Sequence, residues 1–300
     1  MAGDFDPRDH DTSDRDQGVS DCNNRTTDRD SDHLEQRLHS ASGDPREALV
    51  RDLDLPLGLE RESVRDRGRV YALNGSETRT LATAGAFRVV SERDLHSHSQ
   101  DVRHLEKQGL IARVPVDDRE RAITLTDRGR ALLERHRQAG ADQRQTFYAG
   151  VDKVRERSHD VQIYRAYLSE VDRLHVAGAS IARVQLDREL KGDYQRFLQE
   201  RNRGDRDSDG RPDRTQDEVA AWAREHDLPY FDEQVHFPDA RIEYRDIDGD
   251  VRHLDIEVTT EHYRGAHGAA TGRSGFSIYT SGDGSRGARL ANPRTAEEFL

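Results

Sequence analysis

Hydrophobic and polar positions divide the chain into two polar ends and a patterned middle. Residues 1–45 contain few apolar side chains and many aspartates, so we predict an acidic, disordered tail there. From residue 68 onwards, apolar residues recur three and four positions apart or alternate with polar ones, which are the spacings of helices and strands. The pattern ends near residue 281, and residues 282–300 are predicted to form a frayed tail.

Residues 68–138 form the first patterned region, with helices on both sides of a hairpin. Ser76 is expected to cap a first helix and Ser91 a short second one, while Val102 and Leu105 mark the buried side of a third. Two short β-prone runs follow, and the all-charged tip between them is typical of a solvent-facing hairpin. A threonine then caps the last helix of the region.

This region resembles the recognition-helix end, wing and following helix of MarR-type winged-helix DNA-binding proteins, and the matching residues read LEKQGLIARVPVDDRERAITLTDRGRALLERH. The resemblance implies a winged helix-turn-helix domain over 68–138 that binds double-stranded DNA. Arginine and glutamine reach base edges, whereas lysine mostly contacts phosphate. The expected contacts on the helix and wing are Gln100, Arg103, His104, Lys107, Arg119 and Arg121.

Charge is distributed in a way that agrees with this hypothesis. The chain has a net charge of −12, yet residues 67–138 hold 14 basic and 10 acidic side chains, a net charge of +4. A locally basic module is what binding to phosphates requires. Winged helices also serve as protein-interaction modules, so that alternative is left open, as is a homodimer.

Composition excludes several other classes. Hydrophobic residues make up only 33% of the chain, and the single cysteine, Cys22, permits no disulfide framework and no cysteine zinc site. Arginine supplies almost all the positive charge, since the only lysines are Lys107, Lys153 and Lys191. No apolar run approaches membrane length, so we expect a cytoplasmic protein without a membrane partner.

Residues 159–281 predict a second, mixed α/β domain. An amphipathic helix that begins at His159 precedes an alternating run at Ser180–Leu186, which is typical of a strand. Two more helices are expected, one capped by Asp187 and one at Thr215–His226. The predicted fold is therefore α+β, a winged helix followed by this α/β domain.

A hairpin at 237–260 carries the candidate chemistry of the second domain. Its loop, Ile247-Asp248-Gly249, suits a three-residue turn that ends in a left-handed glycine. That turn fixes the register, so Asp239 faces Glu257 and Arg241 faces Asp255 on one polar face. Opposed carboxylates repel unless a cation lies between them, and Mg²⁺ or Mn²⁺ is one such cation.

The pattern of PD, a strand and then D-x-E resembles the core of PD-(D/E)XK nucleases, and most closely the nuclease-like domain of replication-relaxation proteins. The resemblance implies a restriction-endonuclease-like fold with Asp239, Asp255 and Glu257 as catalytic and metal-binding residues. The family's lysine position is occupied by Thr259, so a residue such as His262, Arg264 or Arg273 would have to replace it. Alternatively, Arg241 bridges two acids on a solvated sheet face. Glu261 and His267 are further candidate ligands.

We therefore expect a DNA-binding protein, either a transcription regulator or a factor in the replication or transfer of a mobile element. The alternative is a metal-dependent nuclease, in which the winged helix delivers the hairpin to DNA. Carboxylates converging in a concave pocket would favour the nuclease, and a salt-bridged hairpin face would favour the binding protein.

Overall fold

The computed structural model describes residues 44–95, 98–140, 144–151, 153–203, 212–259, 273–280 and 288–289. The chain divides into two compact units, residues 1–41 and 42–300, and all described residues belong to the second. The predicted tail at 1–45 therefore lies outside the described residues except for its last two positions. The predicted tail at 282–300 also lies outside them, apart from 288–289.

The described residues form six α-helices and twelve strands. The helices are α1 (Gly75–Ala86), α2 (Ser99–Lys107), α3 (Asp127–Arg135), α4 (Arg157–Val176), α5 (Asp187–Gln199) and α6 (Gln216–Glu225). The strands are β1 (Glu62–Asp66), β2 (Arg69–Leu73), β3 (Val90–Ser91), β4 (Ile111–Pro115), β5 (Arg121–Leu125), β6 (Ser180–Leu186), β7 (Tyr230–Phe231), β8 (Gln234–Val235), β9 (Ala240–Arg245), β10 (Val251–Thr259), β11 (Ser277–Thr280) and β12 (Ala288–Arg289).

The first region runs from β1 to α3 and contains a three-stranded sheet in the order β3-β5-β4. The predicted hairpin is confirmed as β4 and β5, which pair antiparallel with the charged tip between them. Gly109 ends α2 with a φ of 71°, a conformation that glycine adopts at little cost. The predicted threonine cap is also confirmed, because Thr126 Oγ1 accepts a hydrogen bond from Gly129 N at 3.1 Å.

Two predicted caps in this region are wrong. Asn74 caps α1 through a reciprocal pair of hydrogen bonds with Glu77, which satisfies two helix-end groups where Ser76 would satisfy one. Ser76 Oγ instead donates to Asp101 at 2.6 Å. Ser91 lies in β3 and is followed by a turn rather than a helix; its hydroxyl accepts from Arg93 N at 3.2 Å and donates to Glu120 on the hairpin.

A further hairpin, β1–β2, precedes α1 and was not predicted. Val64 and Tyr71 face each other on its buried side. The predicted domain start at residue 68 falls within its turn. Together with β3 and the β4–β5 hairpin, this hairpin is the third β-structure near α2.

The second region runs from α4 to β12 and contains a five-stranded sheet in the order β12-β11-β10-β9-β6. The strand predicted at Ser180–Leu186 and the helix predicted after Thr215 are both confirmed. Asp187 does not cap α5 as predicted; it is the first helical residue, and its carboxylate pairs with Lys191 at 2.8 Å.

The predicted register of the β9–β10 hairpin is confirmed. Arg241 pairs with Asp255 and Arg245 with Val251 in the antiparallel ladder. Asp246 N donates to Asp250 O at 3.0 Å across the loop, and Gly249 has a φ of 87°. The polar face of this hairpin therefore carries the residues that the sequence assigned to it.

Both regions share one hydrophobic core. The ring of Phe87, at the end of α1, lies 4.9 Å from the ring of Tyr164 and 4.8 Å from that of Tyr167, both on α4. The same cluster continues to Ile242 and Tyr279 in the five-stranded sheet. Helix α4 therefore packs between the first region and the sheet.

Candidate functional site

Helix α2 presents three polar side chains on its exposed face. Val102 and Leu105 are fully buried, as predicted, and fix which side of the helix faces the core. Gln100, Arg103 and Lys107 are exposed. In the part of the chain that the structure describes, no carboxylate forms an ion pair with Arg103 or Lys107, so both charges face solvent.

His104 is held on the flank of α2 rather than on its exposed face. Its Nδ1 lies 2.6 Å from Oε1 of Glu77, whose carboxylate is completely buried. Arg61, which precedes β1, donates to the same carboxylate at 2.7 Å. His104 therefore helps to position α2, and its remaining ring nitrogen is the group left for any contact with DNA.

The β4–β5 hairpin is fixed to the opposite flank of α2. Arg113 of β4 forms ion pairs with Glu106 of α2 and, at 2.7 Å, with Glu92 beside β3. Arg119 and Arg121 are exposed at the hairpin tip, and neither forms an ion pair with a described residue. The hairpin thus adds two exposed arginines beside the cations of α2, together with the exposed acids Asp117 and Asp118.

Asp255, a predicted metal ligand, is fully engaged by Arg241. The guanidinium donates to both carboxylate oxygens, at 2.7 and 2.8 Å. It also donates to the carbonyls of His226 and Asp227 at 2.7 and 2.8 Å, beyond the end of α6. Arg241 is only 6% exposed, so this pair is part of the packing between the hairpin and α6.

Asp239 and Glu257 lie at the other end of the same polar face. Asp239 Oδ2 accepts hydrogen bonds from Val258 N at 2.7 Å and from His159 Nε2 at 3.1 Å. Burial, followed by the nearby charge of Asp239, raises the pKa of Glu257 to about 8. Burial is the larger of the two causes.

The cations beside these carboxylates come from the protein. Burial on its own lowers the pKa of His159, but hydrogen bonds and charge interactions with Asp160 and Asp239 raise that pKa to about 11. The imidazole is therefore a cation at neutral pH. The charges of His159 and Lys191 both lower the pKa of Glu257. His159 and Lys191 therefore supply the positive charge beside the carboxylates that the sequence analysis suggested a metal ion would supply.

Asp239, His159 and Lys191 border a cleft of about 840 Å³ between α4 and α5. Arg88 reaches it from the end of α1, in an unusual left-handed conformation with a φ of 63°. Asp160 Oδ2 is buried there without a hydrogen-bond partner. The other lining residues are Lys153, Glu156, His159, Ile163, Leu186, Asp187, Arg188, Lys191, Gly192, Gln195 and Asp239.

Sequence reasoning missed His159 and Lys191 because they lie far from Asp239 along the chain. One signal was present, since two of the only three lysines line this cleft. Thr259, which occupies the position of the family's catalytic lysine and was a candidate catalytic residue, donates its hydroxyl to Tyr279 O at 3.2 Å. Arg273 pairs with Asp232 and stacks on Phe231 instead of joining the cleft.

The three predicted carboxylates do not fit one shared metal ion, because Arg241 already occupies both oxygens of Asp255. Across the described residues, no group of three or more His, Cys, Asp or Glu side chains is arranged to hold a metal. The candidate residues Glu261, His262, Arg264 and His267 lie outside the described residues.

Comparisons with family models, curated proteins and solved structures found no match for this chain. None of the described helices is both long and apolar enough to cross a membrane. The functional interpretation therefore depends on the geometry of the two candidate sites.

Proposed function

We propose that this chain is a DNA-binding protein that places α2 and the β4–β5 hairpin against a duplex. The observation that carries the proposal is the exposed face of α2, where Gln100, Arg103 and Lys107 project without compensating carboxylates. In a chain of net charge −12, exposed and unpaired cations at this position favour an anionic partner.

The order of elements supports the same proposal. Helix α1, strand β3, helix α2 and hairpin β4–β5 follow one another as in a winged helix, with a turn replacing the helix that usually precedes the recognition helix. The buried pair between Arg241 and Asp255 is the salt-bridged arrangement expected of a binding protein. A MarR-like regulator or a mobile-element replication or transfer factor is the class that we propose.

A salt titration tests this proposal. Full-length protein is titrated into labelled 30-base-pair duplexes of varied sequence, and fluorescence anisotropy gives the affinity at several KCl concentrations. Lys107→Ala should make the slope of log affinity against log salt shallower by about 0.9, the value for one lost phosphate contact.

Arg196→Ala is the matched control, because Arg196 is an exposed helical cation that pairs with Asp193 on α5. It should leave the slope unchanged. Absence of binding to every duplex, or an affinity that does not depend on salt, would contradict the proposal and favour a protein-interaction module.

A metal-dependent nuclease is the second candidate, and one observation favours it. The charge of Lys191 lowers the pKa of Glu257, so the two side chains lie near each other. Helix α5 therefore supplies a lysine in place of the one that the nuclease motif has and this hairpin lacks. Asp239 and Glu257 are the two carboxylates that this arrangement leaves for a divalent ion. Burial of the uncharged Glu257 carboxyl opposes such binding near neutral pH.

Cleavage of supercoiled plasmid in Mn²⁺, with EDTA as the blank, tests the nuclease. If this candidate is right, the wild type nicks the plasmid, Lys191→Met abolishes nicking and Lys153→Met, on the same cleft, retains it. An intact plasmid with wild-type protein would exclude this activity and leave the DNA-binding proposal in place.

A further inference from the structure

The β1–β2 hairpin carries three exposed arginines at its tip. Arg65, Arg67 and Arg69 form no ion pair with any described residue. The one acidic side chain of the tip, Asp66, is neutralised by Arg135 of α3. The tip therefore presents uncompensated positive charge to solvent.

The turn of this hairpin contains a residue that its backbone disfavours. Arg67 and Gly68 have φ angles of 45° and 76°. They connect Asp66 and Arg69, which are opposite each other in the backbone register of the two strands. A two-residue turn with both φ angles positive favours asparagine, aspartate or glycine, and a longer side chain there costs about 1–2 kcal/mol. No hydrogen bond from the described residues to the Arg67 side chain offsets that cost. Local folding therefore does not account for an arginine at this position.

The hairpin is fastened to α2 by side-chain contacts. Gln108, at the end of α2, accepts from Ala72 N at 2.9 Å and donates to Ala72 O at 3.1 Å. At the other strand of the hairpin, Arg61 and His104 share the buried carboxylate of Glu77. The arginine-bearing tip is therefore held relative to α2.

Helical periodicity shows on which side of α2 the hairpin lies. At about 100° per residue, His104 and Gln108 fall on one flank of the helix and Glu106, which binds the β4–β5 hairpin, falls on the opposite flank. Arg103 and Lys107 lie between these flanks on the exposed side. The β1–β2 and β4–β5 hairpins therefore bracket the exposed face of α2, and each carries exposed arginines at its tip.

We infer that the β1–β2 hairpin is a second phosphate-binding arm, which contacts the backbone of the duplex bound by α2 on the side opposite the β4–β5 hairpin. This inference rests on the proposed DNA-binding function. Phosphate contacts fix the position and orientation of a protein on DNA. An arm on each flank of α2 would therefore set how the helix sits in the groove.

Arg67→Asn tests the arm without endangering the fold, because asparagine suits the turn better than arginine. In the same anisotropy titration of the full chain, this variant should make the salt slope shallower by about 0.9. The triple variant Arg65→Gln, Arg67→Asn and Arg69→Gln should make the salt slope shallower by up to about 2.7. The thermal midpoint of Arg67→Asn should equal or exceed that of the wild type.

Arg245→Gln is the control, since Arg245 is exposed at the tip of the comparable β9–β10 hairpin. Its slope should match that of the wild type. If Lys107→Ala weakens the salt dependence but the Arg67 and triple variants do not, the arm is overturned and DNA binding through α2 stands. If the wild type binds no duplex, both are overturned.

Discussion

His159 is the residue on which the charge balance of the cleft depends. It contacts Asp239 at 3.1 Å and lies 3.9 Å from Asp160. Its imidazolium, together with the amine of Lys191, lets Asp239 and Glu257 lie close to each other at one end of the β9–β10 hairpin. The repulsion expected from the sequence is therefore relieved in two ways, by protein cations and by retention of a proton on Glu257.

Replacing Glu257 by Gln should make the protein more resistant to alkali. The folded-state pKa of about 8 is above the ordinary value of 4.5, so the folded state binds this proton more tightly than the unfolded state does. The resulting stability is complete below about pH 4.5 and is lost as pH rises through 8. Glu257→Gln lacks this loss, so its urea midpoint should exceed that of the wild type by more at pH 9 than at pH 5.

His159 contributes a decline of its own between about pH 6.5 and 11, but it is present in both proteins and largely cancels in the comparison. Glu62→Gln, which changes an exposed carboxylate of β1, serves as the control and should give the same difference at both pH values. A pH-independent difference for Glu257→Gln would show that this carboxyl is ionised in the folded protein throughout.

At the scale of elements, α4 connects the sheet of the second region with the hairpin of the first. Arg165 of α4 is 7% exposed and donates to Asp94 at 2.9 Å and to Glu120 at 2.6 Å. Asp94 lies in the turn before α2, and Glu120 lies in the β4–β5 hairpin. One buried guanidinium therefore fixes the hairpin and that turn against the same helix.

Arg165→Ala should destabilise the fold by about 3–5 kcal/mol, because it removes a buried cation that two largely buried carboxylates share. Urea unfolding measures the change. Arg196→Ala removes an exposed ion pair on α5 and should cost less than about 1 kcal/mol. Similar small effects of the two substitutions would show that Arg165 does not stabilise this contact.

Sequence reasoning succeeded where a short-range rule determines the structure. The loop at Ile247–Gly249 fixed the β9–β10 register, and Thr126 marked a helix start, because both depend on residues within a few positions. It overlooked the capping box of Asn74 and Glu77, which is also a short-range pattern, by taking Ser76 as the cap. It also could not find the cations of the cleft, since His159 meets Asp239 across 80 residues of chain.

At the scale of the whole molecule, the described part has two arginine-bearing hairpin tips beside α2 and a mixed-charge cleft between α4 and α5. Arg88 joins the two regions, since it follows the end of α1 and its guanidinium lies 3.7 Å from Asp160 in the cleft. The shared core of Phe87, Tyr164 and Tyr167 fixes the two regions against each other. The orientation of the exposed face of α2 relative to the cleft is therefore set by packing.

The scarcity of lysine gives this molecule built-in chemical reporters. Lys107 lies on the exposed face of α2, whereas Lys153 and Lys191 line the cleft, and the chain has no other lysine. An amine-reactive reagent read by mass spectrometry therefore modifies side chains only at the two candidate sites. A single labelling experiment on the unmodified protein thus reports the occupancy of each site separately. The arginines on the rest of the surface do not react with the reagent.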